Sequence, residues 1–250
     1  MIAPALRALL EHVVDYAGMF PPAGLSREQA ARNYAHYLGC EYAWILNRFV
    51  VTATDADSLP QNVNWRLAVL TDGDHPRADA IESKRVLRTS KPTYCELGMQ
   101  ELDDVKAAGA FAKFRTGGLT AEAIPSVDTL ASFLLGCAER KLPFKATAGL
   151  HHPIRSVYPL TYKENGPRAA MHGFINVFVA AAFAWHGEKQ ISEILSDQDP
   201  FAFRFDNSLH WRGLSLTTEQ VACARKQFAH SFGSCSFEEP VRELQALGWL

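Results

Sequence analysis

The stretch between residues 111 and 152 decides the predicted fold. It consists of FAKFRTGG (residues 111–118), SVDTLASFLLGCAER (126–140) and FKATAGLHH (144–152). The first and third segments are short apolar runs that end in glycine, which is typical of strands, and the middle segment repeats its apolar residues at helical intervals. Two strands joined by a helix run parallel with a right-handed crossover. The stretch therefore predicts a strand–helix–strand unit of an α/β protein.

The same alternation extends on both sides of this unit. Apolar runs predict strands over residues 43–51, 65–71 and 93–98, and helical patterns cover residues 26–38, 75–87 and 101–108. A last short strand is predicted over residues 230–236, before a closing helix. Strands that recur about every 20 to 30 residues favour a closed (β/α)8 TIM barrel over an open doubly wound sheet. No strand is followed by a GxGxxG turn, which weakens the dinucleotide-binding alternative.

We expect one barrel domain over residues 1–250, with an irregular insertion in its C-terminal third. Within residues 153–230, the sequence predicts a long loop over 156–168, a helix over 171–186 that is apolar nearly all round, and a strand-like alternation over 201–210. Long ordered loops at the mouth of a barrel are commonly lids or binding loops. The insertion is therefore expected to form a lid or extra helices.

Composition and charge narrow the class of protein. The chain has 250 residues, of which 48% are hydrophobic and 21% charged, and its net charge of −2 shows no basic excess for nucleic-acid binding. Its most apolar stretch, residues 174–185, is too short to span a bilayer. The five cysteines form no CxxC pair, which is typical of reduced thiols. We expect a cytoplasmic protein with no nucleic-acid or membrane partner, and homo-oligomerisation stays open.

The two glycine-ended strands each carry a lysine. Side chains alternate along a strand, so Lys113 shares a face with Arg115, and Lys145 shares a face with Thr147 and His151. Neighbouring strands lie roughly 5 Å apart, so the two amines are expected to feel each other's charge, which favours a nucleophilic amine near neutral pH. The alternative is that both lysines end their strands and reach solvent.

Other polar residues are expected at the same rim, because active sites of such barrels lie at the carboxyl ends of the strands. Glu96 is predicted beside Lys113, either to orient it and move its proton or as a plain ion pair. Of the adjacent His151 and His152, parity favours His151 in the site. The strand-like segment 201–210 adds the last two members of this rim cluster, Arg204 and Asp206.

The sequence offers two further kinds of site at this rim. A metal would combine His151 with Glu96, Asp206 or His172, but no HxH or HExxH spacing supports it and the lysines would repel a cation, so we expect no metal and no other cofactor. The turn before the closing helix, with Gly233, Ser234 and Ser236, is predicted to hold an anion on its backbone N–H groups.

These segments resemble the paired lysine strands of class I aldolases of the deoxyribose-phosphate aldolase type. The resemblance covers residues 92–152 and 231–250, and it implies a (β/α)8 barrel in which Lys113 is the Schiff-base nucleophile and Lys145 lowers its pKa. It also implies a phosphate-binding turn at residues 232–236 and a Glu-x-Gly at Glu96. A catalytic aspartate is implied as well, for which Asp72 and Asp74 are nearby candidates. Arg115 stands where the family has a small hydroxyl residue.

Three functional hypotheses follow. The first is an aldolase-like lyase that makes or breaks a carbon–carbon bond next to the carbonyl of a small anionic substrate, through an imine on a lysine. The second is a metal-dependent barrel enzyme acting on a carboxylate substrate. The third is a non-catalytic barrel that binds an anionic effector through Lys113, Arg115 and Lys145.

Overall fold

The computed structural model describes residues 2–61 and 63–250, and its main feature is a closed barrel of parallel strands. In chain order the strands are β1 (Val14–Tyr16), β2 (Leu46–Thr52), β3 (Leu67–Leu70), β4 (Ala80–Ser83), β5 (Thr93–Glu96), β6 (Phe111–Arg115), β7 (Phe144–Thr147), β8 (Ser156–Pro159), β9 (Arg168–Met171), β10 (Phe203–Phe205), β11 (Ser208–Trp211), β12 (Leu214–Thr217) and β13 (Ala229–Ser234). Strands β1 to β7 pair in sequence, and β13 closes the barrel between β7 and β1. The predicted (β/α)8 TIM barrel is confirmed.

Helices surround this barrel. They are α1 (Pro4–Leu10), α2 (Arg27–Tyr37), α3 (Ala53–Ser58), α4 (Leu102–Ala107), α5 (Val127–Arg140), α6 (Phe174–Trp185), α7 (Ser192–Ser196), α8 (Thr218–Gln227) and α9 (Glu238–Ala246). Hydroxyl side chains cap the N-termini of several of these helices. Ser26 accepts a hydrogen bond from the Gln29 N–H at 3.2 Å, and Ser126 accepts one from the Thr129 N–H at 3.1 Å. Within the described ranges, every helix is too short or too polar to cross a membrane.

The packing of α5 decides which way the two lysine strands face. The ring of Phe133 on α5 stacks on Phe114 of β6 at 4.3 Å and meets Phe144 of β7 edge-on at 5.6 Å. Because side chains alternate along a strand, burying these two rings under the helix turns Lys113 and Lys145 toward the barrel interior.

One predicted helix is wrong. Residues 75–87 do not form a helix; they contain the buried strand β4, which is joined to β3 and β5 by the loops 71–79 and 84–92. Arg77 anchors the first loop by donating to the carbonyl oxygen of Leu59 at 2.8 Å, and the Asp79 carboxylate accepts a hydrogen bond from the Leu67 N–H at 2.8 Å. An apolar run this short fits both the helical and the strand period. The strand is identified only by its pairing with β3 and β5 in the closed barrel. Its consequence is that Glu82 enters the barrel.

The insertion between β7 and β13 contains two small antiparallel sheets and three helices. Strands β8 and β9 form a hairpin where a loop was predicted, because Ser156 to Pro159 pair with Arg168 to Met171. Strands β10, β11 and β12 form a second sheet that packs on α1 and α8 outside the barrel. Helix α6 is buried along residues 174–184, as its apolar surface predicts.

Candidate active site at the carboxyl end of the barrel

A cavity of about 1030 Å³ opens at the carboxyl ends of the barrel strands. Its floor contains Glu82, Glu96, Lys113 and Lys145 from four successive strands. The tip of the β8–β9 hairpin, residues 159–164, forms part of its wall. The position agrees with the rule that barrel enzymes use the carboxyl end of the sheet, and the hairpin occupies the place expected for a lid.

The structure brings the two lysines together inside the barrel. Lys113 and Lys145 are register partners on β6 and β7, and their exposed fractions are 6% and 1%. They share one carboxylate: Lys113 Nζ lies 2.8 Å from Oε2 of Glu82, and Lys145 Nζ contacts Oε1 of the same group. The alternative in which both ammonium groups reach solvent is therefore wrong.

Lys145 is a fixed cation. Its Nζ donates to Asp15 Oδ2 at 2.6 Å, and Asp15 also accepts hydrogen bonds from Asn47 Nδ2 at 2.7 Å and Ser231 Oγ at 2.7 Å. Burial alone would lower the pKa of Lys145, but the negative charges of Asp15 and Glu82 outweigh it and raise that pKa. The expected mutual repulsion of two amines is thus offset by carboxylates on either side of Lys145.

Glu96 lies beside Lys113, as the sequence predicts, and it also contacts Arg115. Its Oε2 lies 2.8 Å from Lys113 Nζ, and its Oε1 lies 2.8 Å from Nη2 of Arg115. Burial would raise the pKa of Glu96, but the two cations lower it. These groups form an alternating row of negative and positive charges that ends at the half-exposed Arg115, in the order Asp15, Lys145, Glu82, Lys113, Glu96, Arg115.

Glu82 is a buried cavity residue that the sequence does not predict there. It contacts both lysines, whereas Asp72 and Asp74, the nearby candidates for the aspartate that the resemblance implies, form no ion pair with them. Instead Asp72 accepts from Ser83 Oγ at 2.7 Å, and Asp74 accepts from the Ser90 N–H at 3.0 Å. An acidic residue directly after the apolar run 80–81 was the available signal, and the helix prediction for 75–87 concealed it.

Glu82 is expected to make the fold sensitive to acid. Burial would raise its pKa, but Lys113 and Lys145 lower it from 4.5 to about 2. Ionised Glu82 therefore stabilises the fold above pH 4.5, and this stabilisation is lost as the pH falls from 4.5 toward 2, by up to about 1.4 kcal/mol per pH unit. Urea unfolding at a series of pH values measures the slope. Glu82→Gln should reduce this slope by the contribution of one proton. A free energy of unfolding that stays constant below pH 4.5 in the unchanged protein would contradict the assignment.

Both histidines of the loop after β7 line the cavity, so the prediction that only His151 enters is wrong. The loop is not extended: Ala148 and Gly149 have φ values of 59° and 79°, and strand parity does not apply to left-handed backbone. His151 Nδ1 lies 3.2 Å from Oε2 of Glu239. His152 stacks on Tyr158 at 3.5 Å between ring centres.

His151 is held as a cation in this wall. Burial would lower its pKa, but the Cys235 thiol and the Glu239 carboxylate raise it to about 9. In return, His151 and Tyr162 lower the pKa of the Cys235 thiol against the effect of burial. Tyr162, from the hairpin tip, donates to Glu239 Oε2 at 3.2 Å. The hairpin is thereby linked to the same acidic group as His151.

Gly149 is required where two backbones approach each other. A Cβ on Gly149 would lie 2.7 Å from the Gly117 Cα, and its φ of +79° strains any other residue. Gly149→Ala is expected to destabilise the fold by about 1–3 kcal/mol, because the loop that carries His151 must move to make room. Denaturant unfolding measures this loss of stability. Gly73→Ala is the matched control, because a Cβ there meets nothing within 4 Å. Equal stability of the two variants would contradict this reading.

The turn before α9 is placed differently from the anion site that was predicted. Gly233 and Thr147 line the cavity. The two serines satisfy the turn itself: Ser234 Oγ accepts from the Ser236 N–H at 3.3 Å, and Ser236 Oγ accepts from the Glu239 N–H at 3.1 Å. These backbone donors are occupied, and the carboxylate of Glu239 faces the same space, which disfavours an anion here.

Two predicted rim residues do not belong to the site. Arg204 lies on β10, and Asp206 follows that strand; both are outside the cavity, in the sheet that packs on α1. Asp206 instead accepts a hydrogen bond from the Ser208 N–H at 2.7 Å. The segment predicted as one strand over 201–210 falls on two antiparallel strands, β10 and β11, and a local period does not tell which sheet a strand joins.

The candidate metal ligands named from the sequence do not lie together either. His172 is wholly buried beside the chain at Pro125, whose carbonyl oxygen lies 2.8 Å from Nε2, and Asp206 is remote. A different group places its donor atoms within 4.8 Å of one another, namely His152, Glu239 and Glu243. In it, His152 Nδ1 lies 2.6 Å from Oε1 of Glu243, an ion pair that joins the loop to α9.

Comparison with known proteins identifies no relative of this chain. No family model matches the chain, and searches of curated proteins and of solved structures find no match.

Proposed function

We propose that the cavity is the active site of an aldolase-like lyase, which makes or breaks a carbon–carbon bond next to a carbonyl through an imine on Lys113. The observation that carries the proposal is the pair of lysines on neighbouring strands that share the Glu82 carboxylate at the floor of a cavity at the carboxyl end of the barrel. An amine in such a place can attack a carbonyl while bulk water is kept away.

The surroundings of the two lysines assign them different roles. Lys145 is 1% exposed and held by Asp15 and Glu82, so it acts as a permanent positive charge. Lys113 lies nearer the opening and touches Glu96 as well, whose side chain is 15% exposed. Lys113 is therefore the nucleophile, and Lys145 keeps Glu82 ionised and in position.

The reaction starts when the Lys113 ammonium releases a proton to solvent through the cavity opening, while Glu96 holds the amine in place. The free Nζ adds to the carbonyl carbon, and the carbonyl oxygen leaves as water after taking up two protons, which produces an iminium ion. The bond between the next two carbons then breaks: its electron pair moves toward the iminium nitrogen, a hydroxyl proton is released, and an aldehyde departs. Protonation of the remaining enamine carbon and addition of water release the second product and restore the amine.

Two side chains fit the proton transfers and the substrate's charge. His151, with a pKa of about 9, is protonated at neutral pH and is the acid of the cavity wall. Arg115 is half exposed at the cavity, and Glu96 occupies only part of its guanidinium. Its remaining N–H groups suit the carboxylate or phosphate of a small anionic substrate.

We propose the cytoplasm as the location of the protein. The free thiols of its five cysteines fit this reducing compartment: Cys40, Cys95, Cys137, Cys223 and Cys235.

Borohydride trapping tests the proposal. The protein is incubated with a panel of small aldehydes and 2-keto acids, and borohydride then reduces any iminium ion to a stable secondary amine. We expect a mass increase equal to the substrate less one oxygen, mapped to the peptide that contains Lys113. An unchanged mass across the panel would contradict the imine, and binding of small anions without any adduct would favour the non-catalytic barrel instead.

A further inference from the structure

A second cavity, of about 550 Å³, opens at the opposite end of the barrel, where the strands begin. We propose that this opening binds a small oxyanion, a phosphate or carboxylate group, through the guanidinium of Arg48. Arg48 lies on β2 and lines the cavity together with Tyr94, Arg225 and His230. The site is separate from the lysine cavity and does not depend on the function proposed for it.

Arg48 has hydrogen-bond donors to spare. A guanidinium carries five N–H groups, and the acceptor near this one is the phenol oxygen of Tyr94, which also contacts His230 Nδ1 at 2.9 Å. The buried carboxylate of Asp15 attracts the charge of Arg48, but its oxygens already accept hydrogen bonds from Lys145, Asn47, Ser231 and the main-chain N–H of Arg48. Within residues 2–61 and 63–250, no carboxylate forms an ion pair with Arg48.

The charges around the opening favour an anion. Arg225 is buried, and its N–H groups donate to main-chain carbonyl oxygens, among them Leu9 at 2.7 Å and Glu11 at 3.0 Å, rather than to a carboxylate. Lys226 adds a third cation at the rim, whereas Glu11 is the one carboxylate that lines this cavity in the described parts of the chain. Three cations and one carboxylate therefore line this cavity, and the buried Asp15 carboxylate attracts Arg48 from inside the barrel.

The neighbouring histidine does not change this balance. Burial and the charge of Arg225 lower the pKa of His230 to about 4, so it is neutral at pH 7. Burial also lowers the pKa of Arg225, to about 10, which leaves that group charged. A guanidinium with free donors in a partly enclosed, positive cavity is suited to two-point binding of a carboxylate or phosphate.

Calorimetric titration tests this site with inorganic phosphate, sulfate and succinate as probes, at constant ionic strength. Because Arg115 can hold an anion in the other cavity, the titrations use the Arg115→Gln protein as background. We expect saturable binding that Arg48→Gln weakens roughly 10- to 100-fold and Arg48→Lys weakens less. Preference for phosphate and sulfate over succinate would identify a phosphate site, and the reverse a carboxylate site.

Two outcomes would overturn the proposal: no saturable binding in the Arg115→Gln background, or equal affinity after Arg48→Gln. If Arg48→Gln does not fold, crystals of the Arg115→Gln protein soaked with selenate decide the matter. An anomalous peak within hydrogen-bond distance of the Arg48 guanidinium is expected, and its absence there would overturn the assignment. Lys189→Gln is the control for nonspecific charge effects, because Lys189 is an exposed cation that pairs with Glu139 and lines neither cavity.

Discussion

Replacing Lys145 with methionine is expected to destabilise the fold by about 3–5 kcal/mol, because a buried ion pair that loses one partner leaves the other charges uncompensated. Lys145 is 1% exposed and its ammonium touches both Asp15 and Glu82, which are themselves buried. Methionine has a similar length, so the change removes the charge and leaves most of the packing. Denaturant unfolding measures the free-energy difference.

Two further variants make this result specific. Lys189→Met removes an exposed ion pair with Glu139 and should change stability by less than about 1 kcal/mol. Combining Lys145→Met with Asp15→Asn should cost less than the sum of the two single changes, because the double variant no longer buries the Asp15 charge alone. A Lys145→Met protein as stable as the Lys189→Met control would mean that the buried network does not hold the barrel together.

Lys113→Arg is expected to abolish the borohydride adduct and to reduce any turnover by roughly 10³-fold or more. Arginine keeps the positive charge between Glu82 and Glu96, whose carboxylates both lie 2.8 Å from Lys113 Nζ. A guanidinium does not lose its proton in proteins, so it cannot supply the free amine that imine formation needs. Intact-protein mass and turnover are the two measurements.

The control for Lys113→Arg is Lys84→Arg, which changes another lysine that lines the same cavity. This variant should keep both the adduct and the turnover. An unfolding free energy of Lys113→Arg close to that of the unchanged protein would show that the loss is chemical. An adduct that persists in Lys113→Arg, or that maps to Lys145, would contradict the role given to Lys113.

The sequence alone led to the barrel and to the lysines at one end of it. Alternation along β6 and β7 is a local property, and the apolar positions of α5 show which face of these strands is covered. Lys113 and Lys145 therefore had to share the opposite face. Glu96 followed by the same argument, since it precedes Lys113 by one strand in a parallel sheet.

Residues that lie outside regular strands could not be placed by such reasoning. The left-handed backbone at Ala148 and Gly149 turns both His151 and His152 into the cavity, and no period describes such a turn. Tyr162 reaches Glu239 from a hairpin 77 residues away in the sequence. Arg204 shows the converse case, because its strand joins an outer sheet rather than the barrel.

What the sequence by itself determined is the set of elements whose pattern is local: the strand–helix–strand unit at residues 111–152, and hence the barrel and its two inward lysines. Only the tertiary structure decided that Glu82 binds both of them, and that Asp15 holds Lys145 in place. The physical reason is distance along the chain. Asp15 and Lys145 are 130 residues apart, and only closure of the barrel brings strands that far apart in sequence within the reach of one ion pair.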